Sequence, residues 1–381
     1  MKVNKAWIYP LLLLLAVSCV DPFVPDISEE QMVLVINGVV ADGPGPQQVV
    51  VSYASPYNDP DFDPVEGCVV SVMNEQGVVQ TCVEAGPGIY EFEPEAGFIA
   101  VGSAYSLQVL TPGGEEYRSD YDTLLACPSI DSVYFEEQQK EISDPGVVID
   151  GLQFYADVED ATGGKANNFR WIVDETWEYT APMIPDLIYD GKTVEVYVSD
   201  SIFRCYRDTR VPELFTASTR LLSVDELRRS PLHYVGNETP RLKHTYEVRI
   251  RLHSLSRSCY DYWDLMKAQL KEGGGFYASQ PASVVGNIYN VDDPGEKVLG
   301  CFYATQEQEH QLIIPNNFDF EVGGYRCTLF MVYWLSRLGD DYPYYLYSKS
   351  PMGMGPPYET GARSCFDCRV YGGTTVKPEY W

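Results

Sequence analysis

Tyr246-Glu247-Val248-Arg249-Ile250-Arg251-Leu252 alternates through its whole length. Tyr246, Val248, Ile250 and Leu252 fall on one side; Glu247, Arg249, Arg251 and the following His253 fall on the other. A period of two is that of an extended strand, since successive side chains leave opposite faces of the backbone. One apolar and one charged face predict an antiparallel strand with its apolar side on a core and its charged side wet. The next residues change period. Ser256 or Ser258 can cap a helix over about 258–272, with Asp261 and Asp264 near its start and Lys267 and Lys271 near its end. Trp263, Met266 and Leu270 share one face at i, i+3 and i+7, and Gly273-Gly274-Gly275 stops the run. Ser223 to Arg229 is a second, shorter helical candidate.

The same strand pattern recurs in both directions. Phe169-Arg170-Trp171-Ile172-Val173-Asp174 and Gly191 to Ser199 alternate; Val298 to Ala304, Gln311 to Ile314 and Cys327 to Leu335 are apolar enough for strands. Towards the N-terminus, runs at 32–36, 49–53, 65–73, 77–83, 88–92 and 105–110 are separated by turn residues such as Asn37-Gly38 and Gly43-Pro44-Gly45-Pro46. Turns every ten or so residues without a helical stripe point to a small antiparallel sandwich. The expectation is a mainly β chain of two β-sandwich-like domains, immunoglobulin-like or transthyretin-like, at 32–128 and 129–381. The second carries one or two short helices. Cys127-Pro128-Ser129 reads as the joint.

Ahead of both lies a different kind of segment. Lys2 and Lys5 precede an apolar run from Trp7 to Val17 that ends in Leu15-Ala16-Val17-Ser18-Cys19. The run is shorter than the ~20 residues needed to span a bilayer and matches a secretory signal. Three readings compete: cleavage after residue 18 with lipid (palmitate or a similar acyl chain) on Cys19, ordinary signal cleavage nearby, and an uncleaved anchor. Ser18 directly before Cys19 favours lipidation. Residues 19–31 then form a tether, because two prolines and four acids among Val20 to Gln31 oppose regular structure. The expected address is a membrane surface of the cell envelope, to which the lipid holds the chain.

Composition narrows the partners. Without residues 1–18 the chain holds 25 Lys and Arg against 55 Asp and Glu, a formal charge of −30. Such a surface repels nucleic acid and anionic lipid, which excludes DNA or RNA as a partner. The 29 tyrosines and six tryptophans suit β-sheets, and also surfaces that hold sugars or proteins.

Nine cysteines remain besides Cys19, an odd number that leaves at least one thiol unpaired within a single chain. Cys68 and Cys82 sit on two runs joined by Asn74-Glu75-Gln76-Gly77, which makes a cross-hairpin bridge an expectation. Cys365-Phe366-Asp367-Cys368 is a CxxC. A redox pair opens a helix, and zinc needs two more soft ligands. Neither is in view here, so the favoured reading has one or both cysteines bonded to distant partners, pinning the tail. Cys205 is a further disulfide candidate, and the remaining pairings cannot be deduced from the sequence.

Other chemistry is sparse. Asp59, Asp61 and Asp63 alternate and could converge on calcium, but the loop lacks a sharp-turn glycine and a bidentate glutamate, so a solvated acidic loop competes. His233, His244, His253 and His310 show no metal spacing and read as surface residues. No nucleophile elbow, P-loop or dinucleotide fingerprint occurs, and no cofactor is implied. Tyr342, Tyr344, Tyr345 and Tyr347 precede a flexible stretch containing Met352 and Met354. That cluster is either an exposed contact surface or a last strand packed on the core.

Read in order, several short motifs carry a resemblance. They include Leu34-Val35-Ile36-Asn37-Gly38, Gly88-Ile89-Tyr90, Gly102-Ser103-Ala104-Tyr105, Phe169-Arg170-Trp171, Tyr260-Asp261-Tyr262-Trp263, Gly286-Asn287-Ile288 and the Cys365 to Trp381 tail. In this series the chain resembles the Bacteroidota outer-membrane lipoproteins grouped as domain of unknown function 4249. The resemblance implies an envelope lipoprotein, often encoded beside a TonB-dependent receptor, and supplies no catalytic set. Cys68 stands where that family usually has a small residue. The functional expectation is a non-enzymatic accessory lipoprotein that binds a TonB-dependent transporter or its ligand. The alternatives are a direct glycan- or peptide-binding surface and, further off, an envelope hydrolase.

Overall fold

Tyr246 to Leu252 lies within strand β19 (Tyr246–Ser254; strands are numbered in chain order) of the computed structural model. That structure describes residues 33–54, 62–141, 146–159, 166–197, 199, 201–223, 226–272, 284, 286–349, 356–379 and 381. The expected signal segment, Cys19 and the whole tether lie outside them. Strand β19 is central in an antiparallel sheet ordered β16 (Arg204–Arg210), β13 (Asn168–Thr180), β19, β23 (Glu307–Ile314), with β17 (Phe215–Ser218) also paired to β13. Facing it is a sheet of β11 (Ile130–Glu141), β12 (Val148–Glu159) and β18 (Glu226–Gly236). Leu152 and Phe154 from the second sheet and Trp171, Val173, Val248 and Ile250 from the first share one buried core.

The charged side of β19 is not wet. Glu247 is 1% and His253 2% exposed. The sheet's own cross-strand neighbours neutralise it: Asp174 stands opposite Arg249 on β13, and Glu307 stands opposite His253 on β23. Arg251 Nη2 donates to Asp174 Oδ2 at 2.5 Å, and Trp381 Nε1 donates to Glu247 Oε2 at 2.6 Å. Buried charge is tolerated where each group is paired.

Two helical expectations change. Of the Ser223–Arg229 candidate, Glu226 to Arg229 begin β18, laddered to β12 with Leu227 buried. Seven residues without an apolar stripe gain more from that pairing than from a lone turn of helix. The expected long helix does form, as α1 (Arg257–Glu272), burying Cys259, Tyr262 and Trp263 with Met266 against them. Leu270, expected on that stripe, is 64% exposed.

The N-terminal sandwich is not built from residues 32–128 alone. One sheet runs β21 (Val298–Leu299), β1 (Leu34–Ala41), β2 (Gln47–Tyr53), β7 (Ile89–Phe92), β6 (Val83–Gly86), with β22 (Phe302–Thr305) on β1 and β3 (Asp63–Pro64) on β2. The other runs β20 (Ile288–Asn290), β9 (Glu116–Ser119), β8 (Ala104–Leu110), β4 (Val69–Asn74), β5 (Val79–Thr81), with β10 (Asp122–Thr123) on β8. Ile36, Val51 and Tyr90 meet Val70, Val72 and Leu107 between them. Residues 288–305 thus return from beyond α1 to close both sheets, and β1 pairs with β21 and β22 in parallel. Gly286-Asn287-Ile288 makes the return possible. A Cβ on Gly300 (φ +108°) would overlap the Ile36 carbonyl, and one on Gly286 would overlap the Gly300 carbonyl. Buried Asn287 acts as a side-chain strand, donating to Phe302 O at 2.7 Å and accepting from Phe302 N at 3.0 Å.

A further five-stranded sheet completes the chain: β15 (Val194–Val196), β14 (Leu187–Tyr189), β25 (Tyr344–Ser348), β26 (Tyr358–Gly361), β24 (Leu329–Val332). Disulfides tie the parts. Cys327–Cys365 lies inside this last region, Cys205–Cys368 fastens the tail to β16, and Cys259–Cys301 joins α1 to the returning segment. The chain from Leu34 to Trp381 forms one compact unit.

Candidate functional site

Leu329-Phe330-Met331-Val332-Tyr333-Trp334 is six apolar residues in a row, a composition that ordinarily marks a strand covered on both faces. The structure gives it an edge. Strand β24 pairs with β26 on one side, Leu329 opposite Gly361 and Val332 opposite Tyr358, and no strand among the described residues pairs with its other side. Val332 is buried, but Phe330, Met331, Tyr333 and Trp334 are 53%, 54%, 58% and 67% exposed. A short 3₁₀ turn follows at Leu335–Arg337, closed by Arg337 N donating to Trp334 O at 3.1 Å. Leu335 and Leu338 fold back onto the small core around Leu187 and Leu346. Strand and turn line a cavity of about 300 Å³, with Arg337 as the one charge among the described residues that line it. A contiguous exposed apolar patch on an open strand edge is what a protein normally avoids unless something binds there.

The expected tyrosine surface largely turns inward. Tyr345 is 6% exposed and packs with Ile202, Cys365 and Phe366. Tyr344 lies half-buried against the Leu187 core, and Tyr347 OH donates to Ile184 O at 2.5 Å. Tyr342, 37% exposed, stands edge-on to Tyr189 with ring centres 5.7 Å apart. Met352 and Met354 lie outside the described residues. The exposed aromatics of this sheet lie at its far edge, on β24 and the two residues after it, with β26 between them and β25.

The cysteines divide cleanly. Cys365 and Cys368 do not bond to each other; they reach Cys327 and Cys205, with Cα–Cα distances of 5.3 and 5.7 Å, and pin the tail as expected. The Cys68–Cys82 bridge does not form. Cys82 N donates to Val70 O, so the register sets Cys82 against residue 70 and leaves Cys68 two positions away along the strand. Diagonal neighbours on a sheet are too far apart for a disulfide. Cys68, Cys82 and Cys127 are buried free thiols, and burial pushes the Cys82 pKa up to about 12. Such thiols are poor nucleophiles.

Two buried polar clusters escaped the sequence reading, which had placed His233 and His253 at the surface; they are 5% and 2% exposed. Glu175 receives Tyr246 OH at 2.8 Å and Arg241 Nη1 at 3.1 Å, with His233 Nε2 3.4 Å away. Burial works against its charge, but His233 and Arg241 outweigh it and hold the pKa low. His253 meets Glu307 Oε2 through Nε2 at 2.7 Å and Tyr303 OH through Nδ1 at 2.9 Å. Burial lowers the imidazole's pKa, and those partners fit the neutral tautomer with its proton on Nε2. Both clusters tie strands together. Among the described residues no group of three or more His, Cys, Asp or Glu is arranged to hold a metal. Asp63 lies in β3, while Asp59 and Asp61 are outside those residues.

Residues 20–311 match the model of a family described as a domain of unknown function, DUF4249. The chain belongs to that family. Several of the motifs that carry the resemblance now have structural explanations. Tyr90 OH donates to Val65 O at 2.7 Å and accepts Cys68 N at 2.9 Å. Tyr105 OH donates to Phe98 O at 2.8 Å, and the Arg170 guanidinium stacks 3.6 Å from the Trp263 ring centre. The DUF4249 match ends before β24, so the exposed patch lies beyond it. No curated protein matches the chain. No helix of the described residues is long and apolar enough to cross a membrane.

Proposed function

We propose that this protein is a non-enzymatic envelope lipoprotein, anchored through Cys19, that docks a protein partner along the open edge of β24. The carrying observation is the coincidence of an unpaired strand edge with the exposed Phe330, Met331, Tyr333 and Trp334. An extended partner strand can complete the ladder there while its side chains cover the aromatics. The resemblance supplies the partner class, a TonB-dependent outer-membrane transporter. The pairing of the buried Glu175 and His253 clusters with neighbouring strands supports a binding role over a catalytic one.

The test is a photo-crosslinker placed at Trp334 or at exposed Tyr121 in cells, followed by purification from membranes and mass spectrometry. The reading expects an outer-membrane barrel from the first position only, with capture lost in Phe330→Lys. Recovery without any barrel, or equal recovery from both positions, would overturn it. Direct glycan binding is the second reading, favoured by the adjacent exposed rings of Tyr333 and Trp334. It expects purified protein to bind a glycan array with no barrel present.

A further inference from the structure

A second concavity lies elsewhere, between the β11–β12–β18 sheet and α1. It is a cleft of about 550 Å³, within the size range of small-molecule sites. Leu214, Phe215 and Leu232 supply apolar walls, and Leu270, left exposed on α1, stands among the lining residues. Two lysines line the cleft, on different elements: Lys140 near the end of β11 and Lys267 on α1.

Lys140 is held in place with care. Buried Gln153 donates its amide hydrogens to Phe154 O and Leu232 O, both at 2.9 Å, which fixes the direction of its carbonyl. That carbonyl accepts from Lys140 Nζ at 2.5 Å, and the ammonium stands 4.2 Å from the Tyr234 ring centre. Among the described residues no carboxylate lies within ion-pair distance of Lys140, in a chain with 55 acids. Its direct partners are a neutral amide and a π face, and the Glu213 carboxylate, which lines the same cleft, acts on it from a longer distance. Lys267 Nζ donates to Thr216 O at 3.2 Å and Thr216 Oγ1 at 3.1 Å. One acid, Glu213, also lines the cleft.

We infer that this cleft binds a small organic monoanion, a carboxylate on an aromatic or aliphatic body. The apolar walls call for the body and the two ammonium groups for the charge. A polyphosphate fits poorly, since no arginine is among the described residues that line the cleft and Glu213 repels multiple charge. The site lies within the DUF4249 match and is independent of the β24 edge.

The test uses the mature full-length chain and two fluorescent probes with one ring framework: 8-anilino-1-naphthalenesulfonate and its neutral parent, N-phenyl-1-naphthylamine. The anion is expected to bind and to be displaced by decanoate but not by inorganic phosphate. Lys140→Met should weaken the anion by about tenfold or more, the scale of one charge-assisted hydrogen bond, and the neutral probe by less than about twofold. Lys267→Met, on a separate element, should repeat the pattern, and Lys192→Met at a distant exposed turn should change neither probe. Unaltered thermal melting checks that each variant is folded; if Lys140→Met is not, Lys140→Gln replaces it. Equal loss of both probes, undiminished anion binding in the Lys140 and Lys267 variants, or displacement by phosphate would overturn the assignment.

Discussion

Replacing Cys205 and Cys368 together by alanine should cost several kilocalories per mole and free the tail, with the remaining bridges intact. The magnitude follows from the loops. The two cysteines are 163 residues apart, but Cys259–Cys301 and Cys327–Cys365 both offer shortcuts, so the closed path is roughly 85 residues. Chain entropy for a loop of that size gives about 5 kcal/mol at 25 °C, and measured disulfides more often deliver about 2–4. Alanine avoids burying new hydroxyls, since both positions are fully buried. With a urea slope of about 3–4 kcal/mol/M, the unfolding midpoint should fall by about 1 M. The loss should be local as well as global. Tyr206 and Thr374 exchange backbone hydrogen bonds at 2.7 and 2.9 Å, and Trp381 lies edge-on to Tyr206 with ring centres 5.6 Å apart. Hydrogen exchange at residues 206 and 374 should therefore accelerate more than at Val248 in the core. Cys127→Ala, which removes a buried free thiol, is the matched control, with a cost of about 1 kcal/mol. Non-reducing peptide mapping that found Cys365 bonded to Cys368, or Cys68 to Cys82, would refute the reasoning. So would a double variant no less stable than Cys127→Ala.

Three further outcomes are expected. Burial raises the Asp122 pKa from 3.8 to about 6, offset in part by hydrogen bonds from Ser256 and Ala304 N, so its stabilisation is present below about pH 4 and lost as pH rises through 6. Asp122→Asn should gain up to ~3 kcal/mol on the wild type between pH 4 and 7.5, read by urea unfolding at each pH; parallel pH profiles would contradict this. Gly300→Ala should cost at least ~3 kcal/mol or prevent folding, because a left-handed backbone and the Ile36 carbonyl leave no room for a Cβ; soluble protein with an unchanged melting temperature would contradict it. Cys19→Ser should move the protein from the membrane to the soluble fraction on cell fractionation, whereas persistence in the membrane would remove the lipid anchor from the proposal.

What could be read along the chain was whatever depends on near neighbours. Alternation marked β19 and β13, serines and glycines bracketed α1, and the spacing of Cys365 and Cys368 in a segment without helical pattern argued for distant partners. Errors arose where a property belongs to a neighbour brought from far away. Glu247 and His253 look solvated by pattern, yet Trp381, Glu307 and Tyr303 cover and pair them. Cys68 and Cys82 look bridged until the β4–β5 register offsets them by two residues.

The candidate surface shows the same division. The run from Leu329 to Trp334 is visible as apolar, but whether it is core or surface depends on being last in its sheet, and strand order is not a local property. Likewise Lys140 and Lys267 are 127 positions apart, and only the packing of α1 on β13 and β17 sets them around one cleft. By itself, the sequence determined β class, the helix near 258–272 and the acidic composition, because local periodicity and residue content suffice for these, and the order of its short motifs pointed to the family. Tertiary structure alone decided the return of residues 288–305 into the first sandwich, the disulfide pairing, and which apolar side chains face outward. Each of these rests on contacts between distant residues, whose register and order are set by backbone hydrogen bonding and close packing.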